Sequence, residues 1–448
     1  MIRNGCKYLT SISNISNKHL SISFMMNDAD IRKEMMRLWK DTFHDSDEYI
    51  NLVFDAYFNP EFVEYEERDG RVVSAMMAVP YCFGNGRSRL HGLYLCGLAT
   101  DPEYRRKGIM SGMIDRLAER MQASEYSFLF LIPADVGLQR YYKDQGFVNA
   151  FYRIKDRYTS VHDFNLEYEN ILNGEDERVS GIKRRYCERI ICKKISHMPV
   201  LTEDEIDRVI SYIMECELSG KDLGILHSSK DLSVAIKECI ISGGCLYYCL
   251  NYENRITGVA FTAICENTLS VYLLIAADRC SYYRILSEIK KDYPLRGITL
   301  CRYPVKSESS GLWSPYYGAA LPEAPAAGAV GVSERVYDPV AHSEVYGMAR
   351  ILNLHEILKF QAEERSDLKY SILVKNDKNG KFERFRAKDG KLYYEEISSA
   401  NGVSENPADV MNRREVAEIL FRRPDSEPIV EEVLSLPPLA GTINLMLD

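Results

Sequence analysis

The segment Leu98–Met110, which reads LATDPEYRRKGIM, decides the fold because it turns an apolar strand directly into an amphipathic helix. The apolar run 90–99 predicts a strand that ends before Asp101-Pro102. Apolar residues then recur at helical spacing from Arg106 to Gln122. A strand that runs into a helix in this way exposes unpaired backbone N–H groups and the positive end of the helix dipole. The segment therefore predicts an anion site.

Three basic side chains and one glycine give this turn its chemical character. Gly108 lets the backbone approach a pyrophosphate closely, while Arg105, Arg106 and Lys107 add positive charge beside the helix. An isolated R-x-x-G is, however, more often an ordinary helix with a solvated basic cap. The surrounding sequence has to decide between these two interpretations.

The sequence around the turn predicts an α/β unit of about 130 residues, an ordinary size for one domain. Helical spacing from Asp30 to Tyr57 predicts two helices, and Asp69-Gly70 joins two strand-like runs as a hairpin. The apolar run Phe128–Ile132 predicts a buried strand, which a short helix and a strand from Phe147 follow.

A similar order of elements recurs between residues 203 and 303, and the stretch 307–331 is rich in Gly, Ala, Pro and Ser. That composition predicts a linker or covering loop. We expect an α/β fold with mixed sheets, divided into a disordered leader at 1–25 with Met25 or Met26 as a possible start, a first unit at 26–155, a second at 156–305, a linker at 306–335 and a third α/β unit at 336–448.

Two motifs resemble those of the GNAT superfamily of N-acetyltransferases. Arg105–Met110 resembles its coenzyme A signature Q/R-x-x-G-x-G/A, and Tyr141–Phe147 resembles its Y-x-x-x-G-F element. Met110 departs from the signature, which has a small residue at this position. The resemblance implies that acetyl-CoA is held by main-chain groups of Leu98, Ala99 and Thr100 and by the phosphate loop Arg105, Arg106, Lys107, Gly108, Ile109 and Met110.

Met110, the second unit and the third unit together resemble the enhanced intracellular survival family of acetyltransferases over nearly the whole chain. That resemblance implies two GNAT-like units followed by a domain folded like a sterol carrier protein, and it implies self-association. Residues 279–284, which follow a strand of the second unit, contain no glycine. We therefore expect the second unit to lack catalytic activity.

Acetyl transfer to an amine requires an acceptor for the amine proton and a donor for the departing thiolate. By resemblance Tyr142 is the general acid, while its neighbour Tyr141 packs. Residues 91–97 contain no carboxylate, and in the family the C-terminal carboxylate, here that of Asp448, acts as the base. Four apolar residues among the last six favour a buried tail, and His91 is the fallback base.

The expected function is acetyl-CoA-dependent transfer to a primary amine, either of a small polyamine-like or aminoglycoside-like molecule or of a lysine. The alternative is a non-catalytic acyl-CoA sensor or lipid-binding module, because a sensor needs neither Tyr142 nor the C-terminal carboxylate. A third interpretation is a structural scaffold with a superficial basic loop.

Composition narrows the partners and the location. The net charge of −9 and pI near 5.6 give no basic field for nucleic acid, and no apolar run approaches the ~18 residues of a membrane-spanning helix. The twelve cysteines are scattered without a C-x-x-C pair, so we expect free thiols and a cytoplasmic location. No histidines are paired at metal-ligand spacing, so we expect no metal.

Overall fold

The computed structural model describes residues 26–84, 88–172, 186–197, 203–219, 223–265, 268–302, 340–376, 380–397, 410–422, 436, 439 and 441–443. The predicted leader at 1–25, the predicted linker at 306–335 and the C-terminal Asp448 lie outside the described residues.

The described α-helices are α1 (Asp28–Phe43), α2 (Asp47–Tyr57), α3 (Ile109–Met121), α4 (Val136–Asp144), α5 (Phe164–Leu172), α6 (Glu203–Ser219), α7 (Ser229–Ile241), α8 (Arg279–Asp292), α9 (Leu354–Glu364) and α10 (Arg413–Leu420). Short 3-10 helices lie at Pro60–Phe62 and Pro102–Tyr104.

The described strands are β1 (Val63–Arg68), β2 (Arg71–Gly84), β3 (Arg89–Thr100), β4 (Tyr126–Leu131), β5 (Val148–Tyr158), β6 (Ile191–Ile195), β7 (Leu223–Leu226), β8 (Cys245–Leu250), β9 (Ile256–Cys265), β10 (Thr268–Ala276), β11 (Gly297–Arg302), β12 (Val340–Ile351), β13 (Tyr370–Lys375), β14 (Phe382–Lys388), β15 (Lys391–Ile397), β16 (Val410–Asn412) and β17 (Gly441–Thr442).

One mixed sheet of 13 strands runs through most of the molecule in the order β17-β7-β2-β3-β4-β12-β5-β11-β10-β9-β8-β6, with β1 paired to β2. β3 pairs with β4 in parallel, and β10 pairs with β11 in the same way, while most other neighbours are antiparallel. The predicted fold class, α/β with mixed sheets, is confirmed. A second sheet of four strands, β15-β14-β13-β16, carries α9 and α10.

Strand β12 was not predicted from the sequence. It lies between β4 and β5 of the first unit and is antiparallel to both, although the predicted boundary at 336 assigns it to the third unit. One edge of β4 pairs with β3, which leaves the other edge free. β12 pairs with that free edge, so β5 does not contact β4 directly in the sheet. The third unit is thus hydrogen bonded into the sheet of the first, and the division into domains stays a prediction.

Aromatic side chains join the first unit to the C-terminal segment. The ring of Phe151 on β5 lies 6.1 Å from that of Phe83 on β2 and 5.9 Å from that of Phe130 on β4. The ring of Phe421, which directly follows α10, lies 6.5 Å from that of Phe151. All four side chains are at most 1% exposed, so they form one packed core across the predicted boundary.

Two local predictions have different outcomes. The hairpin at Asp69-Gly70 is confirmed, because both residues have positive φ values, 53° and 74°, and β1 pairs with β2 around them. The helix predicted from Arg106 begins three residues later, at Ile109. Arg106 has φ 61° and Gly108 has φ 74°, and these left-handed conformations cannot continue a right-handed helix.

The expectation that the cysteines are free thiols is wrong for one pair. Cys187 and Cys280 form a disulfide with Cα atoms 5.5 Å apart. The two residues are 93 positions apart in sequence, so their spacing gave no sign of the pairing. The eight other cysteines whose sulfurs are described are free.

Within the described ranges no helix combines the length and the apolar character that crossing a bilayer requires. In the same part of the chain, no three side chains among His, Cys, Asp and Glu lie close enough together to hold a metal ion.

Replacing Phe151 with alanine should destabilise the fold by about 3–5 kcal/mol, because a fully enclosed ring leaves a cavity among three other aromatic side chains. Leu295→Ala is the control: that side chain is 90% exposed, so its loss should change stability by no more than about 0.5 kcal/mol. Guanidinium unfolding followed by tryptophan fluorescence measures both. Equal midpoints for the two variants would contradict the assignment of Phe151 to the core.

Candidate functional site

Strand β3 separates from β4 halfway along its length. The two strands pair in parallel up to Tyr94 and Phe130, and beyond this pair no residue of β3 is paired with β4 in the described chain. β3 nevertheless continues to Thr100, so one edge of its backbone from Leu95 to Thr100 faces away from any strand partner. We call this stretch the open edge. Its N–H and C=O groups can hydrogen bond to an extended ligand.

A β-bulge accounts for the separation. Opposite Met76 on β2, β3 has two residues, Gly97 and Leu98, since Ala75 pairs with Ala99 and Met77 pairs with Cys96. An extra residue of this kind bends the strand and increases its twist. The bend turns the end of β3 away from β4.

Only glycine fits at position 97. Gly97 has φ 62°, and a Cβ atom built on it would lie 2.2 Å from the ring of Trp39 on α1. Trp39 is 7% exposed and its Nε1 donates a hydrogen bond to Asp45 Oδ2 at 2.7 Å. Neither residue was predicted from the sequence to shape the site, although a glycine inside an apolar strand is a recognised sign of a bulge.

The end of β3 is fixed on its opposite edge. The Oγ atoms of Ser74 and Thr100 are 2.8 Å apart, and Ser74 Oγ donates to the carbonyl oxygen of Ala99 at 3.2 Å. Arg105 Nε donates back to the carbonyl oxygen of Thr100 at 2.8 Å. Arg105, the first residue of the predicted phosphate loop, thus braces the turn between strand and helix.

The basic loop after this turn is exposed. Arg106 and Lys107 are exposed to solvent, and the Lys107 ammonium group lies 4.8 Å from the centre of the Tyr104 ring. Arg106 adopts a left-handed backbone conformation. In turns of this kind, successive N–H groups can point toward a common anion instead of along a helix axis. Both cations are therefore available beside the start of α3.

The N-terminus of α3 differs from those of the other helices whose caps are described. Its N-cap is Gly108, which provides no side-chain hydrogen bond. The remaining described N-caps all accept from a backbone N–H in the first turn: Asn27, Ser46, Asp135, Ser228, Asp278, Asn353 and Asn412. The N–H groups at the start of α3 and its dipole are thus left for another acceptor, such as an anion.

The open edge, α3 and α4 meet in one apolar cluster. Leu95 of β3, Leu131 of β4, Met113 of α3 and Tyr142 of α4 are buried together. Met110 is partly buried and packs against this cluster. Its bulky side chain, the departure from the GNAT signature, thus contacts the core beneath the phosphate loop.

The Y-x-x-x-G-F element is a helix C-terminus of the Schellman type, which fixes the position of Tyr142. Phe147 N donates to the Tyr142 carbonyl oxygen at 3.1 Å, and Gly146 N donates to that of Lys143 at 3.1 Å. Gly146 has φ 82°, as this termination requires, and the rings of Tyr142 and Phe147 lie 5.8 Å apart. The motif therefore has a structural cause in addition to any catalytic one.

Tyr142 is 7% exposed, and burial is the main reason that the pKa of its hydroxyl is raised; nearby Tyr141 and Asp135 raise the pKa further. The hydroxyl group consequently stays protonated at neutral pH. Tyr141, predicted to pack, also makes a 3.0 Å hydrogen bond to Ser111 Oγ in the first turn of α3. This bond links α4 to the start of α3.

The two candidate bases differ in position. His91 precedes Gly97 by six residues, about 20 Å along an extended strand, and lies beside Tyr126 where β3 and β4 are still paired. The described tail, by contrast, ends at Ile443, which is fully buried and packs close to Gly347 of β12. Asp448 lies five residues beyond, outside the described chain.

Comparisons with known proteins agree with this geometry. Residues 26–149 match the family described as acetyltransferase (GNAT) domain. No curated protein matches the sequence. Similar solved structures include a probable N-acyltransferase from Enterococcus faecalis V583, with 13% identity, 84% of each chain covered and a TM-score of 0.57.

Two further similar structures cover nearly the whole molecule. A GCN5-related N-acetyltransferase from Anabaena variabilis has 12% identity, 88% of each chain covered and a TM-score of 0.58. Eis1 from Mycobacterium abscessus has 10% identity, covers 89% of this chain and 88% of its own, and has a TM-score of 0.56. At these identities the likeness establishes a shared fold.

Gly97→Ala should weaken acetyl-CoA binding at least tenfold, because the new methyl group collides with Trp39 and the bulge has to rearrange. Gly70→Ala is the matched control: Gly70 also has a positive φ, 74°, but a Cβ there meets no atom within 4 Å. It adds backbone strain without changing the open edge. Titration calorimetry gives the affinities, and circular dichroism checks that both variants fold. Equal affinities would show that the bulge does not shape the binding site.

Proposed function

We propose that this chain, whose residues 26–149 match the acetyltransferase (GNAT) domain family, moves the acetyl group of acetyl-CoA to a primary amine, with Tyr142 as general acid and the carboxylate of Asp448 as base. The acceptor is a small polyamine-like or aminoglycoside-like molecule, or a lysine. The observation that carries the proposal is the uncapped start of α3 beside the open edge, in one cluster with Tyr142.

The binding of acetyl-CoA follows from these parts. Main-chain groups of Leu98, Ala99 and Thr100 on the open edge pair with the amides of the pantetheine arm, as an additional strand would. The pyrophosphate is held by backbone N–H groups from Gly108 to Met110, with Arg106 and Lys107 supplying charge. Arg105 supports acetyl-CoA binding through its hydrogen bond to the Thr100 carbonyl oxygen rather than through contact with a phosphate group.

The chemistry is a direct transfer. The neutral amine attacks the thioester carbonyl carbon, a C–N bond forms, and the C–S bond breaks. Tyr142 donates its proton to the departing thiolate, which a buried hydroxyl with a raised pKa can do because it remains protonated. The amine proton passes to the C-terminal carboxylate, and exchange with solvent restores both groups.

The tail is the proposed base because its described part already lies inside the sheet. β17 pairs in parallel with β7, and Ile443 follows it with no exposed surface. A Cβ on Gly347 would lie 2.9 Å from Ile443 Cδ1, so the glycine makes room for the tail. Of the five residues that follow, Leu445, Met446 and Leu447 are apolar and suited to continued burial.

In the second unit a carboxylate replaces the anion site. There β10 is paired with β11 only up to Val271 and leads to α8, much as β3 leads to α3. The N-cap of α8 is Asp278, whose Oδ1 accepts from Ser281 N at 2.8 Å. Its Oδ2 accepts from Tyr186 at 2.9 Å. Because this negative charge takes the place of a phosphate, the proposed role of the second unit at 156–305 is not acetyl-CoA binding.

The third unit provides little support for lipid binding. A cavity of about 230 Å³ lies between α3, α9, α10 and the small sheet. It contains the ion pair of Arg413 with Glu383, 3.1 Å apart, together with Asn353 and Gln122. Leu352, Leu354 and Phe385 also line the cavity, so the lining is mixed, and its ion pair disfavours a purely apolar chain. The sterol-carrier-like fold of residues 336–448 stays a prediction.

Tyr142→Phe should lower kcat by about 10²–10⁴-fold and leave the affinity for acetyl-CoA unchanged, because only the proton donor is removed. Tyr141→Phe, which loses the bond to Ser111, should retain most of the activity. Thiol release measures both. In the wild type the raised pKa of Tyr142 means that the acid form is lost only above pH 10, so kcat should not decline below that pH for lack of it. Equal losses of kcat in the two variants would contradict the assignment of Tyr142 as the general acid.

Deleting Asp448 moves the terminal carboxylate by one residue and should reduce turnover of every amine while acetyl-CoA still binds. A panel of polyamines, aminoglycosides and lysyl peptides, with thiol release as readout, tests this expectation. Unchanged turnover would exclude the C-terminal carboxylate as the base. Binding of acetyl-CoA by the wild type without turnover of any amine would support the sensor instead.

A further inference from the structure

A buried tyrosine lies at the point where β3 and β4 separate. The ring of Tyr81 on β2 is 6.3 Å from that of Tyr94 and 6.2 Å from that of Phe130, the last paired residues before the open edge. Tyr81 is 4% exposed. It belongs to the core on the face of the sheet opposite to Tyr142, since the two residues fall in different clusters.

The hydroxyl of Tyr81 begins a chain of hydrogen bonds into the second unit. It is bonded to the hydroxyl of Tyr57 on α2, and Tyr57 Oη donates to Asp231 Oδ1 on α7 at 3.1 Å. A carboxylate can only accept, so Tyr57 donates to Asp231 and accepts from Tyr81. The lone pairs of Tyr81 are then left to accept from a further donor. All bonds of the chain therefore run in one direction, toward Asp231.

The stoichiometry of the reaction leaves one proton that has to be carried away from the amine. A substrate ammonium group loses two protons on becoming an amide, whereas the coenzyme thiolate takes up only one. The second proton has to reach water. An amine of the lysine type has a pKa of about 10.4, so at neutral pH this proton must be removed before attack.

We propose that Tyr81, Tyr57 and Asp231 form a relay that carries the surplus ammonium proton from the acceptor site to solvent; this inference rests on the proposed function. The ammonium N–H bond breaks as its proton moves to Tyr81 Oη. The Tyr81 proton moves to Tyr57, and the Tyr57 proton moves to Asp231. Half-buried Asp231 then releases it to water, and rotation of the two hydroxyl groups resets the chain.

Each tyrosine hydroxyl group in the relay accepts one proton as it gives up another, so no lasting phenolate is needed. Burial is the main reason that the pKa values of both Tyr57 and Tyr81 are raised, so neither becomes a lasting phenolate. The relay ends on Asp231, which belongs to the second unit. That unit therefore takes part in the proposed reaction without itself binding acetyl-CoA.

Other titratable groups surround the relay without belonging to the chain. Lys230 Nζ lies 5.3 Å above the Tyr57 ring, and Glu238 of α7 faces the same hydroxyl. Cys96 of β3 lies near Tyr81, and the ring of His227, bonded to Glu217 at 2.6 Å, lies 5.8 Å from the Tyr81 ring.

The matched test uses two tyrosines of α2 that both reach α7. Tyr57→Phe breaks the relay, whereas Tyr49→Phe removes the 3.4 Å contact with Glu238 across the same interface and leaves the relay intact. With an amine turned over by the wild type, Tyr57→Phe should lower kcat/KM at pH 7 about 10²-fold. This loss of kcat/KM should become smaller toward pH 10, because a larger fraction of the amine then binds in its neutral form. Tyr49→Phe should match the wild type throughout.

The double variant of Tyr57 and Tyr81 gives a second test, because the relay uses the two residues one after the other. Tyr81→Phe should resemble Tyr57→Phe, and the double variant should lose no more than either single variant, since a path broken twice is still one broken path. Equal losses for Tyr49→Phe and Tyr57→Phe, a loss independent of pH, or additive losses would each overturn the relay in favour of a structural role. Absence of turnover in the wild type would overturn the proposed function itself, before any variant is compared.

Discussion

The contact between Gly97 and the ring of Trp39 is the constraint on which the site depends. The ring leaves no room for a side chain at position 97, and the left-handed glycine allows two residues of β3 to face one of β2. The resulting bend ends the ladder between β3 and β4 after Tyr94 and Phe130. The open edge, the start of α3 and Tyr142 obtain their relative positions from this separation. A side chain 58 positions away in sequence, that of Trp39, thus shapes the end of β3.

Two units with the same local geometry differ in one cap. In both, a strand leaves its parallel neighbour and runs into a helix. The first helix begins at Gly108 without a side-chain partner, while the second begins at Asp278, whose carboxylate occupies its own N-terminus. An anion is attracted to the first and repelled by the second. One cap residue can therefore change which ligand charge a helix N-terminus favours without a change of fold, while the two units stay in contact through bonds such as that of Tyr57 with Asp231.

The C-terminal segment is physically part of the first unit. β12 separates β4 from β5, Phe421 packs on Phe151, and Arg350 Nη1 donates to Asp115 on α3 at 2.8 Å. The strand that carries Gly347 also leaves space for Ile443. The first unit is therefore completed by residues more than 180 positions further along the chain.

The sequence by itself determined what depends on neighbouring residues: the α/β class, the hairpin at Asp69-Gly70, the basic loop before Gly108 and the helix end at Gly146. Each follows from backbone preferences within a few positions. Tertiary structure alone decided the rest. The bulge at Gly97 needs Trp39, β12 needs the free edge of β4, and Cys187 needs Cys280, all far apart in sequence. Such pairings are fixed by packing and by the closure of long loops, and no local pattern records them.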